Sequence, residues 1–376
     1  MQLVINTLGS CLRKQGERFQ VVAGEREFAV SAHKVQSILI TTGVMITTDA
    51  IQLAIENNID IVFITAAGDP YGRIWQSRLG STATIRRRQI ECAETPEGLG
   101  FVLDWIRAKL RNSRTFLEEL HARRPGADAD FTPALAGLAA CLDQLANLTG
   151  SLDEQRSTIM GLEGSAGRSY FDCLSKQLPE NYRFAGRSRQ PAKDAFNAAL
   201  NYAFGVLYSL VEKACINAGL DHFVGFLHTD NYNKKSLVFD LIEPFRILAE
   251  RTVVLLFTGR RMQADYFETV PGGVALSKDG RAALLTAFNE RLDKPVRYPV
   301  QSNPSKKRNV KQRDIIRHEA HALANRLLGK TDIPRLVETK QLFQEDVSAE
   351  DLPEEEDLPV VSDEPLPDRE EEEPPC

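Results

Sequence analysis

Long apolar runs, paired cysteines and familiar catalytic motifs are all missing from this chain of 376 residues. No stretch approaches 18 uninterrupted apolar residues, so no membrane span is expected. The six cysteines form no CxxC pair, which argues against a zinc ribbon or a disulfide framework. GxGxxG, GxxxxGK(S/T) and GxSxG are absent, so no nucleotide fold or hydrolase elbow is implied. The histidines of HEAH at 318–321 stand three apart rather than four, which excludes an HExxH zinc motif and favours a plain helix face.

The N-terminus and the cysteines indicate the cellular compartment of the protein. The string MQLVINTLGSCLRKQG lacks the apolar core of a signal peptide and predicts a strand followed by a turn. Scattered cysteines without pairs suit a reducing compartment, where most thiols are buried. These features predict a cytoplasmic protein.

A net charge of −6 hides a basic body. Residues 345–376 hold 15 acidic residues and one Arg, which leaves 37 acidic against 45 basic residues in 1–344. A body of about +8 suits a nucleic-acid-binding protein, although so modest a charge is also compatible with no such role. The acidic, proline-rich tail is expected to be disordered. It either keeps the chain soluble or mimics DNA and competes for a basic groove.

The N-terminal part has the pattern of a small β-rich domain. The segments LVINTLG, RFQVVAG, REFAVSA and VQSILIT alternate apolar and polar residues between turn signals, which predicts strands. ITTDAIQLAIENN predicts one helix, capped by Asp49 or a neighbouring Thr. IDIVFIT is a continuous apolar run typical of a fully buried strand, and AAGDPYG predicts a turn after it.

From about Arg86 the apolar spacing becomes helical. DAFNAALNYAFGVLYSLVEKACINAG is predicted to be the longest helix, ended by Gly219. FDLIEPFRILAERTVVLLFTG and DGRAALLTAFNERL predict two further helices. The fold class is therefore α+β. A small β-rich domain at 1–85 is followed by a larger, mostly α-helical domain at 86–330 and a disordered acidic tail at 331–376.

Two carboxylates and an imidazole are the candidate metal ligands. Glu163 lies in MGLEGSAGRSY, His228 in GFLHTD and Glu243 in SLVFDLIEPFR, with Asp240 three residues earlier. Oxygen and imidazole donors suit Mn²⁺ and tolerate Mg²⁺. A histidine binds metal only when neutral, so activity is expected to fall below about pH 6.

Each of these residues has a structural alternative. Glu163 also fits a solvated helix position, beside glycines that would let another backbone approach. His228 also fits a core or capping histidine at the end of an apolar segment. Asp240 and Glu243 also fit a capping box, and Pro244 supports a helix start at this point.

Basic residues cluster in several segments around these candidates. Clusters of this kind give affinity for phosphates without reading the base sequence, although any one of them is also compatible with a solvated surface. The candidate contacts are Arg183, Arg187, Arg189, Lys278, Arg281, Lys306, Lys307 and Arg308. Further cations lie at Lys193, Lys311, Arg313, Arg317 and in the run ATIRRRQ.

In this order, the motifs resemble the family of CRISPR-associated adaptation integrases, also called the universal CRISPR-associated endonucleases. The resemblance is carried by the strings RSRQPAKDAFNAALNYAFGVLYSLVEKACINAGLDHFVGFLHTDNYNKKSLVFDLIEPFR and GGVALSKDGRAALLTAFNERL. ILITTGVMITTDAIQLAIENNIDIVFITAAGDPYGRI is similar to the family's N-terminal domain. The resemblance covers about residues 1–330 and leaves out the acidic tail.

The resemblance implies residue roles, a cofactor and partners. Glu163, His228 and Glu243 match the ligands of a Mg²⁺ or Mn²⁺ ion, although some relatives have aspartate where Glu243 stands. Asp240 matches a nearby acidic position, either an alternative ligand or a residue that supports the ligands, and Tyr208 matches an aromatic residue close to the reacting strand. Asp240 and Tyr208 are therefore counted as catalytic candidates. Asn197 matches a position near the site and is counted among the candidate DNA contacts. The partners implied are double-stranded and branched DNA, a second copy bound through the N-terminal domain, and a small ferredoxin-like adaptation protein.

The implied activity is metal-dependent DNA phosphodiester chemistry in antiviral defence. With a DNA 3′-hydroxyl as nucleophile, the reaction inserts a new spacer into a CRISPR array, and with water it cleaves DNA. Two alternatives stay open from the sequence. One is a DNA-binding scaffold that has lost its chemistry, and the other is a stand-alone structure-specific DNA nuclease.

Overall fold

A computed structural model of the chain describes residues 2–35, 37–57, 59–65, 68–74, 83–93, 95–124, 126–228, 234–300 and 303–330. The side chains of 299, 300 and 303–308 are not described. All of these residues belong to one compact unit, Met1–Gln344. The predicted disorder of 331–376 lies outside the described residues.

Strands dominate the first part of the chain and helices the second. The strands are β1 Gln2–Ile5, β2 Cys11–Gln15, β3 Arg18–Ala23, β4 Arg26–Ser31, β5 Ser37–Ile40, β6 Met45–Ile46, β7 Asp60–Ile64, β8 Pro70–Ile74, β9 Phe267–Val270, β10 Gly273–Leu276, β11 Pro295–Val300 and β12 Asn303–Lys311. The helices are α1 Thr48–Glu56, α2 Ala83–Ala93, α3 Pro96–Ala122, α4 Asp128–Ala146, α5 Leu152–Lys176, α6 Ala195–Asn217, α7 Ser236–Leu241, α8 Arg246–Thr258, α9 Lys278–Asp293 and α10 Gln312–Leu327. The α+β prediction is confirmed.

Two sheets and α1 enclose the N-terminal core. One sheet has the order β1-β5-β7-β8, with parallel pairing except between β7 and β8. The other has the order β4-β3-β2-β6. Leu12, Phe19, Ile38 and Leu53 are fully buried in this core. The side chain of Thr47 accepts a hydrogen bond from the N–H of Ala50, so a threonine caps α1 as predicted.

The central strand β7 serves two cores at once. Ile61 packs into the N-terminal core, while Val62 and Ile64 belong to the core built by the helices. Successive side chains of a strand point to opposite faces, so a strand covered on both sides must be apolar throughout. The continuous run IDIVFIT therefore predicted a buried strand correctly. The predicted domain boundary at residue 85 stays a prediction.

The helices differ from the sequence expectation in two places. The α6 helix has 23 residues and Gly219 follows it with φ 78°, but α3 has 27, so the prediction that α6 is the longest is wrong. The helix predicted over 239–259 is interrupted by a 3-10 turn, Glu243–Phe245, that contains Pro244.

The glycines beside Glu163 do not serve helix packing. A methyl group added at Gly161 or Gly167 would meet nothing within 4 Å. The expectation that another backbone approaches this stripe is therefore wrong. The close approach occurs elsewhere, because a Cβ added at Gly205 in α6 would lie 1.6 Å from the carbonyl oxygen of Gly68 in the β7–β8 turn.

Gly205→Ala should destabilise the protein by at least about 1–3 kcal/mol, since the added methyl overlaps rigid backbone and forces α6 away from the turn. Urea unfolding measures the change. Gly100→Ala is the matched control, because this helical glycine has nothing within 4 Å of its added Cβ. The control should be neutral or stabilised by up to about 1 kcal/mol. Equal stability of the two variants would contradict the backbone contact.

Ion pairs also connect the strands to α6. Arg73 of β8 contacts Asp60 and Glu212 at 3.4 and 3.3 Å, and it donates to the backbone oxygen of Ser209 at 2.6 Å. Lys213 Nζ lies 2.6 Å from Asp60 Oδ1. Because Asp60 and Arg73 are nearly buried, these bonds fix the small domain against the long helix that lines the site described below.

None of the helices described here is long and apolar enough to cross a membrane. Four of the cysteines that the structure describes are buried, as the sequence predicted for most of the thiols.

Candidate active site

Glu243 is a buried, ionised carboxylate at the break between α7 and α8. Its Oε1 accepts a hydrogen bond from Arg246 at 2.9 Å, and its Oε2 lies 2.6 Å from Lys109 Nζ. Burial favours the neutral acid, but Arg246 and Lys109 outweigh it and lower the pKa of Glu243 to about 2. Glu243 therefore carries its charge at any pH at which the protein works.

Glu163 contacts the same lysine from a different helix. It lies in the middle of α5, which a capping box of Ser151 and Glu154 begins. Its Oε1 pairs with Lys109 Nζ, and the Lys109 side chain is only 13% exposed. Glu163 and Glu243 are 80 residues apart in the chain, so α3, α5 and the 3-10 turn must pack correctly before these two carboxylates meet.

Asp240 orients His228. Its carboxylate accepts the backbone N–H groups of Phe226, Leu227 and His228 at 2.6, 3.1 and 3.1 Å. Its Oδ1 also lies 2.6 Å from His228 Nδ1. An ionised carboxylate can only accept, so Nδ1 carries a proton, and in the neutral ring Nε2 then keeps its lone pair. This is the arrangement in which a histidine is oriented to bind a metal.

The capping-box alternative for Asp240 and Glu243 is wrong. Asp240 lies in the last turn of α7, and the residue before that helix, Lys235, makes no capping bond with its side chain. The turn that begins at Glu243 has no side-chain cap either. The carboxylate of Asp240 is instead committed to the loop that ends at His228, which leaves Glu243 as the acidic group facing the cavity.

Glu163, His228 and Glu243 line one cavity of about 400 Å³. Lys109, Arg187, Arg189, Lys234 and Arg246 also line it, together with Glu250 and Tyr170. Burial raises the pKa of Glu250, whose carboxylate accepts a hydrogen bond from Tyr170 at 2.9 Å. The cavity thus combines an acidic centre with a cationic wall, as an enzyme that handles phosphodiesters requires.

The donor set fits a hard divalent ion. The carboxylates of Glu163 and Glu243 both pair with the Lys109 ammonium, which supplies the positive charge between them. His228 offers an oriented imidazole in the same cavity. Among the residues that the structure describes, no group of three His, Cys, Asp or Glu side chains is disposed to hold a metal ion.

Tyr208 lines an adjoining cavity of about 460 Å³, which shares Arg189, Phe204, Lys234 and Phe239 with the first. Its hydroxyl accepts hydrogen bonds from Arg189 at 2.8 Å and Arg246 at 3.1 Å. Its ring packs edge-on against Phe239, with centroids 5.1 Å apart. Tyr208 therefore lies beside the acidic centre, linked to it through Arg246.

Two of the predicted DNA contacts have internal partners. Asn197 is fully buried, and its side-chain amide donates to the carbonyl of Gly186 and to Asp194. Its role is to hold the loop before α6. Arg187 bonds to Asn197 and Asn201 and lies over Phe204, and burial lowers its pKa to about 10. Arg187 is part of the cavity wall rather than of an outer basic surface.

The remaining basic candidates differ in position. Arg183 and Arg189 are exposed on the loop before α6, and Arg189 also lines the cavity. Lys278 begins α9 and donates to Thr7 at 3.4 Å, while Arg281 donates to the carbonyl of Leu276. The side chains of Lys306, Lys307 and Arg308 lie outside the described residues.

Lys109 and Arg246 were missed from the sequence. Arg246 stands three residues after Glu243, so the spacing of facing helical residues could have identified it. Lys109 lies on α3 among several other cations, and no local pattern distinguishes it. Its role depends on the packing of three distant segments.

A strand-rich N-terminal domain, followed by a helical domain with a cation-walled acidic cavity, defines the class as α+β proteins with a candidate phosphodiester site. The chain belongs to the Cas1 family, because the family model described as CRISPR associated protein Cas1 matches residues 3–290. The resemblance inferred from the sequence motifs is thus confirmed.

Relatives and solved structures agree with this membership. The chain is 33% identical over 313 residues to CRISPR-associated endonuclease Cas1 1 of Archaeoglobus fulgidus, covering 79% of this chain and 90% of the relative. It is 31% identical to CRISPR-associated endonuclease Cas1 2 of Rhodospirillum rubrum, covering 78% and 87%. A casposase bound to integration product shares the fold with a TM-score of 0.79 at 23% identity, covering 92% and 96%. A CAS1 protein from Thermotoga maritima also shares the fold, with a TM-score of 0.70 at 19% identity, covering 89% of this chain and 99% of that protein.

Proposed function

We propose that this chain is a metal-dependent DNA endonuclease and integrase that inserts new spacers into a CRISPR array. The observation that carries the proposal is the convergence of Glu163 and Glu243 on one cation, in a cavity that His228 also lines. Relatives that match most of the chain are named CRISPR-associated endonucleases, which supports the same chemistry. Antiviral defence and a cytoplasmic location are parts of this proposal.

Glu163, Glu243 and His228 would hold Mg²⁺ or Mn²⁺, whose chemical contribution is to polarise the phosphodiester and to stabilise the charge of its transition state. Asp240 keeps the proton of His228 on Nδ1 and thereby leaves Nε2 as a donor. Arg189 and Lys234 line the cavity with positive charge and bind the phosphates of the approaching strand. Arg246 holds Glu243 ionised and steadies the hydroxyl of Tyr208 near that strand.

The proposed partners are double-stranded and branched DNA, a second copy of this chain, and a small ferredoxin-like CRISPR-associated protein. Among structures that share the fold, one is a casposase bound to integration product and another is a chain of a Cas6-RT-Cas1–Cas2 complex. They indicate which substrate and partner to test first. A DNA 3′-hydroxyl as nucleophile gives strand transfer, and water gives cleavage, at the same cavity.

The test is strand transfer of a short labelled duplex with free 3′-hydroxyls into a supercoiled plasmid that carries a repeat array. The expected result is joined product with Mn²⁺ or Mg²⁺ and the partner protein, and none in chelator. Joined product in chelator would overturn the metal dependence. DNA binding without any joining or cleavage would favour a scaffold, and cleavage that ignores the partner would favour a stand-alone nuclease.

A further inference from the structure

Lys109 occupies a central position between two acidic side chains that come from different parts of the fold. Its Nζ forms ion pairs with Glu163 Oε1 and Glu243 Oε2, although the lysine itself belongs to α3. The lysine side chain is 13% exposed and that of Glu243 is 5% exposed, so solvent screens this group of charges weakly. The Glu163 side chain is 32% exposed, so only one of the two carboxylates is buried. Two neighbouring carboxylates repel each other, and a cation between them reduces that repulsion.

The contact with Glu243 is one of charge more than of hydrogen bonding. Arg246 donates to Oε1, whereas the buried Oε2 finds no partner in hydrogen-bond geometry among the described residues and lies 2.6 Å from the Lys109 ammonium. A buried carboxylate oxygen without a hydrogen-bond donor is stabilised when a metal cation takes the place of the ammonium and coordinates the oxygen directly. An ammonium on a flexible four-carbon stem can move aside, and the cavity of about 400 Å³ offers the space.

We propose that Lys109 is a tethered cation that holds the two carboxylate ligands together in the metal-free protein and is displaced when a divalent ion binds. The proposal rests on the metal-dependent function given above. Lys109 thereby sets the metal affinity, because each binding event must break two ion pairs. It also explains why the carboxylates converge while the described residues form no preassembled metal site.

Calorimetric titration with Mn²⁺ tests the proposal on the full chain. Lys109→Met removes the competing charge and should tighten Mn²⁺ binding by at least about tenfold. Lys109→Arg keeps the charge and should not tighten it. Lys176→Met is the control, because this lysine pairs with Asp172 on an exposed face of α5. The Mn²⁺ affinity of Lys176→Met should equal that of the wild type.

Thermal unfolding gives a second readout. The metal-free Lys109→Met protein should melt below the wild type, since Glu163 and Glu243 lose their shared partner, and Mn²⁺ should raise its melting temperature by more than it raises that of the wild type. If Lys109→Met is too unstable to purify, Lys109→Gln provides the same loss of charge. Lys109 variants of neutral charge that bind Mn²⁺ no more tightly than the wild type would overturn the proposal.

Glu243→Gln separates this inference from the proposed function. If the wild type shows no saturable Mn²⁺ binding, the metal site fails, and the tethered-cation role fails with it. If the wild type binds Mn²⁺, Glu243→Gln does not, and the neutral Lys109 variants leave the affinity unchanged, then only the role of Lys109 is wrong.

Discussion

Glu243→Gln and Glu163→Gln should each lower the rate of strand transfer by at least about 100-fold, which is the size of effect seen when one preorganised electrostatic contact is removed from an active site. The amide keeps the shape of the side chain and loses the charge that a hard cation requires. The measurement is the initial rate of joined product at saturating Mn²⁺, with circular dichroism to establish folding.

Glu118→Gln is the control for this pair, because Glu118 is an exposed residue of α3 that pairs only with its helical neighbour Arg114 among the contacts described. It should retain the wild-type rate, since an exposed pair of this kind contributes little. His228→Ala completes the series, and its rate of strand transfer should fall as far as the rates of the two glutamine variants. Full activity in both Glu163→Gln and His228→Ala would show that the site assignment is wrong.

Asp240→Asn should weaken Mn²⁺ binding by about 10–100-fold, the usual cost of losing a group that orients a metal-binding histidine. The asparagine amide presents N–H groups where the carboxylate accepted three backbone N–H groups and His228 Nδ1. The loop that ends at His228 then loses its anchor. We also expect a stability loss of about 1–3 kcal/mol from the unsatisfied buried donors.

Calorimetric titration and urea unfolding, performed on the same preparations, separate the two effects. Asp172→Asn is the control, since Asp172 is exposed on α5 and pairs with Lys176. A variant that loses stability yet binds Mn²⁺ with wild-type affinity would show that Asp240 only shapes the loop. Unchanged stability together with unchanged affinity would contradict both the anchoring of the loop and the orientation of the imidazole.

The three candidate ligands show how much the order of motifs adds to single residues. Glu163, His228 and Glu243 each have an ordinary structural explanation when taken alone, and their order within a family-like string is what selected them. The structure brings all three to one cavity. Asp240 could be assigned to a cap or to the site, and only the hydrogen bonds to 226–228 decide between these roles.

The basic residues show where prediction from the sequence fails. Arg187 and Arg189 stand two positions apart in one loop and look alike in the sequence. The structure stacks Arg187 over Phe204, bonded to Asn201, and leaves Arg189 exposed beside Tyr208. Counting charges gives the number of basic side chains in the protein. It does not indicate which of them are already paired with other residues inside the fold.

The sequence by itself determined the succession of a strand-rich domain and a helical domain, the presence of α1, the glycine end of α6 and the buried strand β7. These features follow from interactions within a few residues, namely periodicity, capping and turn chemistry. Only the tertiary structure decided that Lys109 lies between Glu163 and Glu243, that Gly205 is the glycine pressed against backbone, and that Asp240 serves His228. Each of these contacts joins segments that are distant in the chain or separated by a loop, and its distance and burial are set by packing rather than by local spacing.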